Sequence, residues 1–82
     1  MTGRRIYPDG DGNLRLAEGD YGKDGRGVWV CRPPGSHAGG LPNHTITEHE
    51  DGTITVSPSI LFNEPGAPGW HGYLERGVWR GC

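Results

Sequence analysis

This chain of 82 residues is short of the side chains that usually build a core. Leucine, isoleucine, valine and phenylalanine together number fourteen, with one Phe and one Met among all residues. No stretch approaches the roughly 18 consecutive apolar residues of a membrane-spanning helix, which excludes such a helix and gives no membrane association. The basic opening Met1-Thr2-Gly3-Arg4-Arg5 is followed by no apolar run, so no secretory signal is expected. An excess of one charge is missing as well. Eight basic and ten acidic side chains give a net charge of −2 and are intermixed along the chain. A phosphate-neutralising face cannot be assembled from them, which argues against nucleic acid as a partner. Helical periodicity is also absent, because Gly or Pro interrupts most windows.

What the chain does contain is 16 Gly, seven Pro, three Trp and three Tyr. The apolar share is near that of disordered chains, but the small net charge and the bulky aromatics point to a fold with a thin core. Domains of this size bury a modest fraction of their surface and commonly add a disulfide, a metal or a partner chain. The two Cys and four His therefore come first among candidate functional residues.

Short strand-like runs lie between turn signals. Arg4–Tyr7 and Asn13–Leu16 flank Pro8-Asp9-Gly10-Asp11-Gly12, Gly27–Cys31 is β-branched and aromatic, and Arg32–Pro42 reads as a Pro/Gly loop. The clearest hairpin joins Thr45–Glu48 to Thr53–Val56. A three-residue Glu50-Asp51-Gly52 loop pairs Ile46 with Val56 and Glu48 with Ile54, which buries one consistent apolar side. It places His44 on the Ile46 side and His49 with Thr47 on the other. Pro58 is expected to break pairing before Ser59–Phe62, Asn63–Gly69 is a second loop, and Trp70–Leu74 pairs with Val78–Cys82 across a turn at Glu75-Arg76-Gly77. The expected fold is all-β: a small antiparallel β-domain of about seven short strands with Gly/Pro-rich loops, for which zinc is a candidate staple. It is one domain over 1–82, with an N-terminal hairpin region (1–25) and a core carrying the Cys and His (26–82).

Arg26-Gly-Val-Trp-Val-Cys31 and Arg76-Gly-Val-Trp-Arg-Gly-Cys82 both run R-G-V-W into a thiol, and Gly81 would have to bulge for Cys82 to match Cys31. Cys31 precedes His37 by six positions. A two-residue Arg76-Gly77 turn would set His71 directly opposite Cys82, where cross-strand Cβ atoms lie roughly 4.5–5.5 Å apart, whereas a three-residue turn would pair Trp70 with Cys82 instead. Cys31, His37, His71 and Cys82 thus compose a Cys₂His₂ set suited to tetrahedral Zn²⁺, with His44 in reserve. The same thiols could instead form a Cys31–Cys82 disulfide outside a reducing cytosol, or stay free in the core.

Other motifs carry less. Asp9-Gly-Asp11-Gly-Asn13 alternates oxygen ligands like a calcium loop, but Leu14 stands where that loop needs Gly, so a hairpin turn is expected. Ser57-Pro58-Ser59 lacks a nucleophile elbow. Core duty is expected for at least two of Trp29, Trp70 and Trp79, with Trp70 partly exposed.

By Ser57-Pro-Ser-Ile-Leu61, Gly69-Trp-His-Gly-Tyr-Leu74 and Gly77-Val-Trp79, the sequence resembles a group of small uncharacterised proteins of tailed phages, those of actinobacterial hosts most closely. The resemblance covers about Val28 to Cys82 and implies a metal site falling on Cys31, His37, His71 and Cys82. It implies no activity. The expectation is a phage-encoded, zinc-stabilised β-domain in the host bacterial cytoplasm, a protein-binding accessory factor engaging a host or phage protein through Trp70 and Tyr73. The alternative is a virion component, a decoration or tail module. A minimal metallohydrolase would need an open zinc position beside Glu48 or Glu75.

Overall fold

The computed structural model describes residues 1–82 and is all-β, with two four-stranded sheets. The first contains β1 (Arg4–Arg5), β2 (Asp20–Lys23), β3 (Trp29–Cys31) and β4 (Gly39–Gly40) in that order. Its β1–β2 pair is parallel and the others are antiparallel. The second is an antiparallel meander of β5 (Thr45–Glu48), β6 (Ile54–Phe62), β7 (Trp70–Glu75) and β8 (Val78–Gly81).

Period-two alternation explains the second sheet. Ile54, Val56 and Ile60 of β6, Leu74 of β7 and Trp79 of β8 are buried, whereas His71, Tyr73, Glu75, Val78 and Arg80 between them face outward. Tyr21, Cys31 and Leu41 from the first sheet and the segment after it complete one core cluster with them. Turn chemistry fixes the registers. Gly52, at φ 87°, closes the three-residue loop and pairs Ile46 with Val56 and Glu48 with Ile54, as expected. Arg76 and Gly77, both at positive φ, form a two-residue turn that pairs Glu75 with Val78 and Leu74 with Trp79.

Three expectations are corrected. Arg4–Tyr7 and Asn13–Leu16 do not form a hairpin: the pairing strand is β2, and β1 lies parallel to it. The Asp9–Asn13 turn exists, with Gly12 N–H donating to Asp9 O at 3.0 Å, but its flanks are not paired strands. The Arg32–Pro42 loop contains β4, giving eight strands in place of about seven. Pro58 does not end β6. Instead the β6–β7 register shifts between Val56 and Ile60, so the strand continues past an irregularity.

The sheets are tied by long-range contacts. Trp79 Nε1 donates to Gly19 O at 2.9 Å, and Gly3 N–H donates to Gly77 O at 2.7 Å. Arg5, 13% exposed, lies over the rings of Tyr7 and Trp29 at 4.7 and 4.9 Å. Its Nη1 reaches Glu48 Oε2 at 2.8 Å and Gly52 O at 3.0 Å, so one guanidinium joins β1 to the β5–β6 hairpin.

The turns carry an acid sensitivity. Asp9 Oδ1 accepts from the Asp11 and Asn13 N–H groups, Asp24 Oδ1 from Arg26 and Val28, and Asp51 Oδ1 from the Thr53 N–H and hydroxyl. These hydrogen bonds hold all three carboxyls below the usual range, and the Arg5 hydrogen bond does the same for Glu48. A carboxyl lowered by folding adds stability above its unfolded pKa and loses it as pH falls through its folded one. Denaturation midpoints should therefore fall from about pH 4 downward. Asp24→Asn should flatten that dependence, as measured by urea unfolding between neutral and acid pH.

Candidate functional site

The last hairpin positions His71 and Cys82. Its regular register pairs Gly72 with Gly81, and Cys82 N–H donates to His71 O at 2.9 Å, so the two residues are cross-strand neighbours, as the two-residue turn predicts. No bulge occurs at Gly81. Counting outward from buried Trp79, Cys82 falls on the outer face of the sheet with Arg80, and it is exposed. His71 is exposed on the same face, its Nε2 3.1 Å from Ser59 Oγ.

Cys31 sits elsewhere. It pairs with Tyr21 in the first sheet, is 0% exposed, and belongs to the core between the sheets. Burial pushes its thiol up to about 12, so the thiolate that a metal needs is strongly disfavoured there. His37 stacks on Phe62 at 5.6 Å between ring centroids, with its Nε2 3.4 Å from Glu64 Oε2. His44 Nε2 contacts Ser59 O at 3.1 Å, and His49 Nε2 contacts Thr55 Oγ1 at 2.7 Å.

The Cys₂His₂ set is thus divided. His71 and Cys82 meet on the outer face, Cys31 lies under the inner face, and His37 is held by an aromatic ring. No three His, Cys, Asp or Glu side chains converge to hold an ion. These residues do not fit one tetrahedral zinc, and the thiols, both free, are not placed for a disulfide. The R-G-V-W repeat misleads because its copies end differently: Cys31 shares a face with Trp29, but Cys82 opposes Trp79. One thiol per chain should react with a colourless-to-yellow disulfide reagent in the native protein, and two in denaturant. Cys82→Ser should abolish the native reaction.

Both carboxylates named for a metallohydrolase are engaged by arginine. Glu48 is paired with Arg5 and Glu75 with Arg80. Trp70 and Tyr73 are likewise separated. Trp70 is half-buried and packs edge-on against Trp79, 5.3 Å between centroids, at the rim of the core. Tyr73 points outward, 41% exposed, beneath the Arg80 guanidinium at 5.9 Å. Its companions are Leu61, 61% exposed and paired across the sheet with His71, and Val78, also exposed on β8. Sequence reasoning missed Leu61, Val78 and Arg80, although the alternation of β7 and β8 would place all but Leu61 beside Tyr73. Leu61 follows by the same rule, since with Ile54, Val56 and Ile60 inward it falls on the outer face of β6.

A separate open groove of about 710 Å³ runs beside β4, lined in part by Leu14, Leu16, Val30, Ala38 and Asp11. None of the expected site residues lines it. No protein family, no curated protein and no solved structure matches this chain.

Proposed function

We infer that the protein is a small binding module, a non-structural accessory factor of a tailed phage that engages a host or phage protein in the host bacterial cytoplasm. The phage assignment rests on the resemblance of Ser57–Leu61 and Gly69–Leu74 described above. The binding assignment is carried by one observation: the outer face of β6–β8 presents Leu61, Tyr73 and Val78 together. A chain with only fourteen large aliphatic and Phe residues leaves two of them in water beside a tyrosine. Burying such side chains is worth about 1.5–3 kcal/mol each, so a partner that covers them gains what folding leaves unused. Tyrosine and arginine are also the residues that anchor protein interfaces, and here Arg80 stacks over Tyr73. The acid–arginine pair of Glu75 and Arg80 leaves the face without net charge, which favours an apolar partner surface.

A photo-crosslinking residue at Leu61, in infected cells, should capture one host or phage protein reproducibly. Tyr73→Ala should abolish the capture without changing the thermal midpoint. Capture that persists in Tyr73→Ala, or many copies of the protein in purified particles, would favour the virion alternative or refute the face.

A further inference from the structure

We propose that His71 and Cys82 form one half of a zinc site that a second copy of this chain completes, so that the ion bridges two molecules through the outer faces of β7 and β8. The site lies on the same outer face as the binding patch above but does not depend on that role.

Four observations lead to it. The two donors are direct cross-strand neighbours, fixed by a regular register and by the 2.9 Å bond from Cys82 N–H to His71 O. Both are exposed on one sheet face, where a second molecule can approach. Ser59 Oγ lies 3.1 Å from His71 Nε2, and with Ser59 accepting, the Nε2–H tautomer leaves the Nδ1 lone pair free for a metal. A metal-bound imidazole donates its other ring N–H to an outer acceptor in this way, which fixes both tautomer and ring orientation. Finally, no third His, Cys, Asp or Glu of the same chain converges on the pair. One chain therefore offers two ligands where structural zinc takes four, and two chains related by a two-fold axis offer a Cys₂His₂ shell. Binding releases one proton from each Cys82 thiol, leaving two thiolates and two neutral imidazoles around the ion. Leu61, adjacent to His71 on β6, lies next to the bridged pair and can be covered with it.

The probe is zinc alone, in a non-thiol reducing agent, read by light scattering on a sizing column. At half an equivalent of zinc per chain the mass should double, and excess chelator should return it to that of the monomer. His71→Ala and Cys82→Ser should each stay monomeric at the same zinc concentration, with thermal midpoints close to that of the parent. Cys31→Ser should still dimerise, and Ser59→Ala should dimerise with several-fold weaker zinc dependence. One zinc per chain without a change of mass would overturn the proposal. So would zinc-driven dimers of Cys82→Ser, or a dimer that forms without zinc and is lost on reduction. Tyr73→Ala should leave zinc dimerisation intact, so failure of the binding face and failure of the bridge are separable.

Discussion

Replacing Trp79 by alanine should leave the chain largely unfolded at room temperature or lower its thermal midpoint by about 15–30 °C. Trp79 is 3% exposed, packs edge-on against Trp70, and reaches across the molecule to Gly19 O. Truncating a buried tryptophan costs about 3–5 kcal/mol, against a total stability of about 5–15 kcal/mol for ordinary domains. Each kcal/mol moves the midpoint by about 4–8 °C at this size. A core of eight buried apolar residues has little with which to compensate. Trp79→Phe should cost far less, about 1–2 kcal/mol, because Gly19 O keeps a second donor in Arg4 N–H at 3.1 Å. Circular dichroism against temperature checks both variants.

The second large effect concerns two glycines facing each other. Gly72 and Gly81 are cross-strand partners, yet a Cβ would meet different surroundings at each. At Gly72 it would overlap Arg80 O, approach Trp70 Cη2 to 2.6 Å and Gly81 Cα to 2.9 Å. The first and last of these are backbone of β8 and cannot move aside without opening the β7–β8 ladder. At Gly81 the nearest atom, His71 O, is 4.0 Å away. Gly72→Ala should therefore destabilise by about 3 kcal/mol or more, at the upper end of overpacking effects, while Gly81→Ala should be nearly neutral. Equal costs for the pair, measured by urea unfolding, would show that Trp70 and β8 are not packed over Gly72.

Turn chemistry made both hairpins of the second sheet legible. Gly52 and the Arg76-Gly77 pair determine loop length, loop length determines register, and register decides which side chains share a face. The His71–Cys82 pairing and the separation of His44 from His49 follow from that alone. The first sheet was much less legible. Asp20-Tyr-Gly-Lys23 and Gly39-Gly40 have neither β-branched residues nor alternation, and they become strands because β3 and β1 supply their hydrogen bonds. The metal expectation came from counting aliphatic side chains and seeking a substitute in sulfur and imidazole. It could not foresee that Arg5, sandwiched by Tyr7 and Trp29, and Trp79, bonded to Gly19, would join the sheets with groups that the count leaves out. Nor could it see that Cys31 and Cys82 take opposite sides of the second sheet.

Contacts between the sheets hold this fold closed, with Cys31, His37, His71 and Cys82 divided between the core and the surface. Stripping the protein with a strong chelator, and then recording its tryptophan near-ultraviolet dichroism through a thermal melt, tests that claim most directly. The expected result is a strong native signal lost in one cooperative transition, with chelator still present. A stripped chain that shows no such signal, and regains it only when zinc is returned, would contradict it.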